Sequence, residues 1–192
     1  MMNCQVEQMV DFLISNGFIK GEDKEIYHFA FKQGFRIILN VTTTLLIGYA
    51  LGMPWQSILF LFSFIPIRSY AGGFHAATPS RCYIYSICII IAVLTCIDFL
   101  RGYIIVQAVI TAVSGFSIYS LAPIESCNKP LKVNERTEYR QKTLKWLLIL
   151  MTGIVVIAGI NQEFSLCLTA ALSVSAILLL LEKVKTIRYM KL

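Results

Sequence analysis

The chain has 192 residues, of which 57% are apolar and only 15% charged, with a formal net charge of +6 and a mean hydropathy of +0.69. Soluble domains run near 25% charged, and a chain of this size leaves too much of its surface exposed to hide such an apolar excess. A soluble enzyme, a disordered tail and a nucleic-acid-binding protein are disfavoured, and a polytopic all-α membrane protein is expected.

The first 36 residues are mixed, with Glu7, Asp11, Glu22, Asp23 and Glu25 set among aliphatic and aromatic residues. They read as two short amphipathic helices broken near Asn16 and Gly17, lying at the membrane surface or forming a cytosolic cap. No clean apolar core opens the chain, which argues against a cleavable signal peptide.

Six apolar stretches follow, at Ile37–Met53, Trp55–Ile67, Tyr83–Ile97, Tyr103–Ala122, Leu144–Ile160 and Phe164–Leu181. Some are shorter than the ~20 residues of a standard span, so short or tilted helices are expected. The second suits a re-entrant segment as well as a crossing. The expected organisation is a single membrane domain over 1–192: an amphipathic region 1–36, a six-helix bundle 37–181 and a basic tail 182–192.

The charges then orient the bundle. With six crossings, the N-terminal region, segments 68–82 and 123–145 and the C-terminal tail fall on one side and hold sixteen of the seventeen Lys and Arg residues; Arg101 alone falls opposite. The positive-inside rule puts that basic side, and both termini, in the cytoplasm. The juxtamembrane cluster Lys183, Lys185, Arg188 and Lys191 suits anionic lipid headgroups, and nucleic acid need not be invoked.

Of six cysteines, Cys88, Cys96 and Cys167 lie in apolar stretches as small hydrophobes, and Cys4 and Cys127 fall on the reducing side, so no disulfide framework is indicated. With only His28 and His75 and no close cysteine spacing, no metal site is expected. His28 reads as an interfacial face residue. The HExxH, GxSxG and GxxxxGK[ST] patterns are absent. If the protein is an enzyme, a cysteine nucleophile with a histidine partner is what remains, and no cofactor is called for.

Residues 68–82, Arg-Ser-Tyr-Ala-Gly-Gly-Phe-His-Ala-Ala-Thr-Pro-Ser-Arg-Cys, are the most informative. Gly72 and Gly73 can end a helix or admit close backbone approach. Thr78 and Pro79 read as N-cap and first residue of the next helix, with Ser80, Arg81 and Cys82 in its opening turns. A thiol near a helix start with Arg81 beside it is favoured as thiolate. On one continuous helix His75 would sit ~10 Å from Cys82, too far for proton transfer, so a fold-back across the Gly-Gly and Pro positions is expected. Spacing alone leaves incidental placement open as well. Arg68 and Arg81 suit either a substrate carboxylate or oxyanion, or simple anchoring at the membrane face.

These residues, with Ala122-Pro123-Ile124-Glu125 and Asn128-Lys129-Pro130-Leu131, resemble the accessory gene regulator B family over nearly the whole chain. The resemblance implies a membrane cysteine endopeptidase of bacterial quorum sensing and virulence. His75 and Cys82 match its catalytic pair. It would cut an amphipathic propeptide on the cytoplasmic side, discard the acidic C-terminal tail, hold the remainder as a thioester and close a thiolactone or lactone ring to form the autoinducing peptide. Arg68, Gly72 and Gly73 belong to the same motif, and Glu125, Asn128, Lys129 and Pro130 are candidates for substrate contact or a third catalytic role. Cys127 reads as a bystander. The resemblance also implies a homodimer. The basic group Lys129, Lys132, Arg136 and Arg140 is complementary to an acidic peptide tail, although membrane orientation alone would account for it. A small transporter or exporter component and a non-catalytic membrane scaffold are the other classes that six spans allow; scarce ionisable residues within the spans weigh against transport.

Overall fold

The computed structural model describes residues 2–74, 78–124 and 133–190. Among them are seven α-helices: α1 (Met2–Ser15), α2 (Lys24–Ala50), α3 (Pro54–Ala71), α4 (Pro79–Leu100), α5 (Ile104–Leu121), α6 (Val133–Ala158) and α7 (Gln162–Met190). The described residues contain no strand. Two compact units divide the chain, residues 1–43 and 44–192.

In the first unit, α1 buries Val6 and Val10, one helical turn apart. It ends as its sequence dictates. The Ser15 hydroxyl and the Asn16 side-chain amide both donate to the Phe12 carbonyl, and Gly17 takes φ 73°. A single 3₁₀ turn over Gly21–Asp23 leads into α2, and Lys24 pairs with Asp11 at 2.6 Å. The expected second amphipathic helix is not a separate element. Nothing between Lys24 and Ala50 breaks the helix, there being no proline, and α2 runs on into the first apolar stretch.

The second unit places each of the remaining five apolar stretches on its own helix. Turns fall at punctuating residues: Gly52 before Pro54, Gly102 between α4 and α5, and Asn161 before α7. The Asn161 side-chain oxygen accepts the Glu163 amide at 2.9 Å, capping α7. At the α2–α3 turn a Cβ on Gly48 would collide with the Ser57 hydroxyl, so the two backbones meet where side chains are smallest.

Helix α7 is the central element. Of its membrane-length window 61% is buried, against 22–28% for α4, α5 and α6. It contributes Leu168, Leu172, Ala176 and Leu179 to a core shared with Ile67, Ile118 and Leu150. Through Leu166, Cys167 and Ala171 it joins a second core with Phe60, Ile90, Leu94 and Ile97. The outer faces are equally apolar: Phe62, Phe99, Ile105, Phe116, Leu148, Val155 and Ile177 are all exposed. A surface of that kind suits lipid. Four helices, α4 to α7, are long and apolar enough to cross a membrane, and the protein is accordingly a helical membrane protein.

Where lipid surrounds the helices, association rests on packing and polar contacts rather than on water exclusion. The α5–α7 interface supplies both. Gln107 Nε2 donates to Ser165 Oγ at 2.7 Å and to Thr169 Oγ1 at 3.3 Å. Thr111 and Thr169 share a hydrogen bond at 3.1 Å, and Ser165 donates to the Ile154 carbonyl of α6 at 2.9 Å. Near that end of the bundle Arg101 pairs with Glu163 at 2.5 Å, and Gln56 reaches the same carboxylate at 3.4 Å. The one basic residue expected on the far side therefore lies at the end of α4 opposite to Cys82.

Candidate active site

The other end of the second unit gathers the end of α3, the residues after it, the start of α4, the end of α5 and the last third of α7. Arg68 sits in the last turn of α3, just past the second apolar stretch. The helix stops at Ala71, whose carbonyl accepts the Ile124 amide at 3.1 Å, so the connections after α3 and after α5 lie side by side.

Gly72 and Gly73 follow with φ 81° and 135°, backbone that residues with a Cβ rarely adopt. Both are also approached closely. A Cβ on Gly72 would stand 2.5 Å from the Ile124 carbonyl oxygen, and one on Gly73 would run into the Arg68 guanidinium. Phe74 is held at both backbone groups. Its amide donates to the Leu178 carbonyl of α7 at 3.0 Å, and its carbonyl accepts Arg68 Nη2 at 2.6 Å. Lys185 Nζ lies 5.3 Å from the centre of the Phe74 ring. Residues 72–74 are thus clamped between α3 and α7.

Thr78 is extended (φ −128°, ψ 147°) and Pro79 opens α4. The Cys82 amide donates to the Thr78 carbonyl at 3.1 Å, which makes it the first amide paired within α4; the Cys82 carbonyl accepts the Ser86 hydroxyl at 3.0 Å. The thiol is free and partly exposed. Ser80 and Arg81 are exposed in the first turn. The cation that the fold couples to Cys82 is Arg68, from the neighbouring helix. Burial pulls the Arg68 guanidinium below its usual pKa, and the fields of Cys82 and Glu182 oppose that shift. Cys82 reaches Arg68 from α4 and Glu182 from α7.

Glu182 is the residue that sequence reasoning missed. It is 2% exposed, its Oε2 has no hydrogen-bond partner among the described residues, and Lys185 Nζ lies 3.9 Å from that oxygen. A lone acid directly after the sixth apolar stretch, heading a run of four basic residues, was the available signal. It was grouped with the tail. Of the other expected site residues, His75 and the set Glu125, Asn128, Lys129 and Pro130 lie outside the described residues. Arg68, Gly72, Gly73 and Cys82 are brought together. Among the described residues no group of His, Cys, Asp and Glu could hold a metal ion.

Fold and site together define a multi-helix membrane protein with a free thiol at a loop-to-helix junction, backed by a buried guanidinium and a buried carboxylate. A family model described as Accessory gene regulator B matches residues 6–180, and the chain belongs to that family, which ties it to agr quorum sensing. Among curated proteins it is 25% identical over 167 residues to "Putative AgrB-like protein 2" of Clostridium perfringens (strain 13 / Type A), covering 80% of this chain and 76% of the relative. It is 24% identical over the same length and coverage to "Putative AgrB-like protein" of Clostridium perfringens (strain SM101 / Type A). No solved structure matches the chain.

Proposed function

We propose that this protein is a membrane-embedded cysteine endopeptidase that removes the acidic C-terminal tail of a quorum-sensing propeptide and promotes ring closure of the remainder. The observation that carries the reading is the assembly of Cys82, in the opening turns of α4, with Arg68 and the clamped glycine pair, Gly72 and Gly73. These are chemistry-bearing residues of the family motif, drawn together from separate helices.

In the proposed mechanism His75 takes the Cys82 proton. The thiolate attacks the scissile carbonyl, and a sulfur–carbon bond forms. As the carbon–nitrogen bond breaks, the imidazolium protonates the departing amine of the acidic tail. The retained peptide is then a thioester on Cys82. A thiol or hydroxyl within that peptide gives its proton to His75 and attacks the thioester; the ring closes and the Cys82 thiolate leaves. Cyclisation outruns hydrolysis because the nucleophile is tethered at high effective concentration and the bundle end restricts water. Arg68 suits the developing oxyanion or a substrate carboxylate.

On this reading six segments cross the membrane, α2 and α3 adding to the four longer spans, and the site faces the cytoplasm with both termini. The partners are the propeptide, anionic lipid headgroups and a second copy of the chain. The basic residues Lys129, Lys132, Arg136 and Arg140 attract the acidic tail, and Arg81, Glu125, Asn128 and Lys129 are placed to contact the substrate.

The test is tail removal from a precursor co-expressed with Cys82→Ala or His75→Ala. Each variant is expected to reach the membrane in normal amount and to lose cleavage by about a thousandfold or more, the scale seen when one member of a nucleophile–base pair is removed. Cleavage retained by Cys82→Ala ends the peptidase reading and leaves a transporter component or scaffold.

A further inference from the structure

We infer that Glu182 is a positioning residue of the thiol site: its buried carboxylate on α7 holds the Arg68 guanidinium in place against residues 73–74 and so keeps it turned toward Cys82. The inference rests on the reading of Cys82 as the nucleophile.

Three observations meet at this point. Glu182 is almost wholly buried, and its Oε2 is unpartnered among the described residues. A buried ionised carboxylate is costly unless it faces a cation, so its place at this end of α7 needs a reason. Arg68 is itself largely withdrawn from water, and its fixed contact is to a neutral acceptor, the Phe74 carbonyl. A guanidinium so placed needs a counter-charge, and the groups acting on it are the Cys82 thiol of α4 and the Glu182 carboxylate of α7. Finally, the backbone between them is pinned. Phe74 donates to the Leu178 carbonyl, one helical turn before Glu182, which fixes the 72–74 segment to the stretch of α7 that carries the carboxylate.

Lys185, at 3.9 Å from Glu182 Oε2, is the other charge beside the carboxylate. It stands farther out, is 33% exposed at its side chain and lies over the Phe74 ring. It closes the outer side of the same cluster and does not replace Arg68 as the inner partner.

The direction of the effect follows. Without the carboxylate, a buried guanidinium has lost its permanent counter-charge, and its long side chain relaxes toward water and headgroups. Cys82 then loses its nearby cation, and thiolate forms at higher pH. Were Glu182 only a repelling negative charge in a rigid site, its removal would instead make thiolate easier to form.

The experiment measures the alkylation rate of Cys82 against pH in membrane vesicles, with full-length protein in which the other five cysteines are serine or alanine. No precursor is used, so the outcome is independent of whether the peptidase reading stands; that reading is judged on cleavage. Glu182→Gln is expected to move the midpoint of the profile upward by about one pH unit, a roughly tenfold lower thiolate fraction below the midpoint. Arg68→Ala should match it, and the double variant should move no further. Glu182→Asp, which keeps the charge on a shorter stem, should fall between. An unmoved or lowered midpoint in Glu182→Gln overturns the inference. Should Glu182→Gln fail to accumulate in the membrane, an unmoved midpoint in Glu182→Asp overturns it alone.

Discussion

At Gly73 two requirements coincide, and they can be separated by substitution. Its φ of 135° is closed to most side chains, and the space a Cβ would take is filled by the Arg68 guanidinium. Strain of the first kind costs of order 1–3 kcal/mol and acts on the fold. The second kind acts on the site, because a long flexible side chain yields more readily than backbone. Gly73→Ala is therefore expected to be made and inserted, and to displace Arg68. The readout is cleavage of the precursor with protein amount measured alongside: at least a tenfold loss of activity per molecule. Gly72→Ala should be worse for the fold, since its Cβ meets the Ile124 carbonyl, a backbone group that cannot swing aside. A Gly73→Ala variant with undiminished activity per molecule would mean that the position of Arg68 does not matter to turnover.

At the scale of elements, hydropathy located each apolar stretch on a helix but could not say which helix stands in the middle. In a soluble protein the buried helix is the most apolar one. Here lipid is as apolar as the core, and α4, nearly as hydropathic as α7, has a window only 22% buried. What singles out α7 is its small and hydroxyl-bearing faces, Ser165, Thr169, Ala171 and Ser175, which let neighbours pack close and accept hydrogen bonds. Such residues lower the apolar score slightly and carry no periodic signal of their own. The same limit hid Glu182, which follows an apolar run and reads as tail until the packing around it is known. The motif residues Arg68, Gly72, Gly73 and Cys82 were legible because a tight turn and a helix start constrain residue type strongly. The α5–α7 contact gives a direct check. Thr169→Val keeps the volume but removes the hydroxyl that Gln107 and Thr111 share. It should destabilise the detergent-solubilised protein by about 1 kcal/mol, read as a lower midpoint of thermal unfolding. Cys82 alkylation should be unchanged, because that contact lies toward the opposite end of the bundle. A change in alkylation would show that the two ends are coupled through α7.

For the whole molecule, sidedness is the property on which the proposed chemistry depends, and the charges argue for one orientation. Basic residues crowd the end that carries Cys82. Arg101 is the exception, at the far end of α4, where Glu163 neutralises it. A cation paired in this way contributes little to the asymmetry that retains positive charge in the cytoplasm, whereas Lys183, Lys185 and Arg188 crowd the tail end of α7 next to the site. Gly102 adjoins Arg101 in the α4–α5 turn, is exposed, and a Cβ there meets nothing within 4 Å, so it accepts a reporter, although its φ of 94° makes the substitution mildly strained. In intact cells, Gly102→Cys in a chain stripped of its native cysteines should react with a membrane-impermeant maleimide from outside. Cys82, retained as the sole cysteine in a parallel chain, should react only after the membrane is opened. The reverse pattern would put the thiol on the outer face, out of reach of a precursor made in the cytosol, and the peptidase proposal would fail on geometry before any kinetic measurement was made.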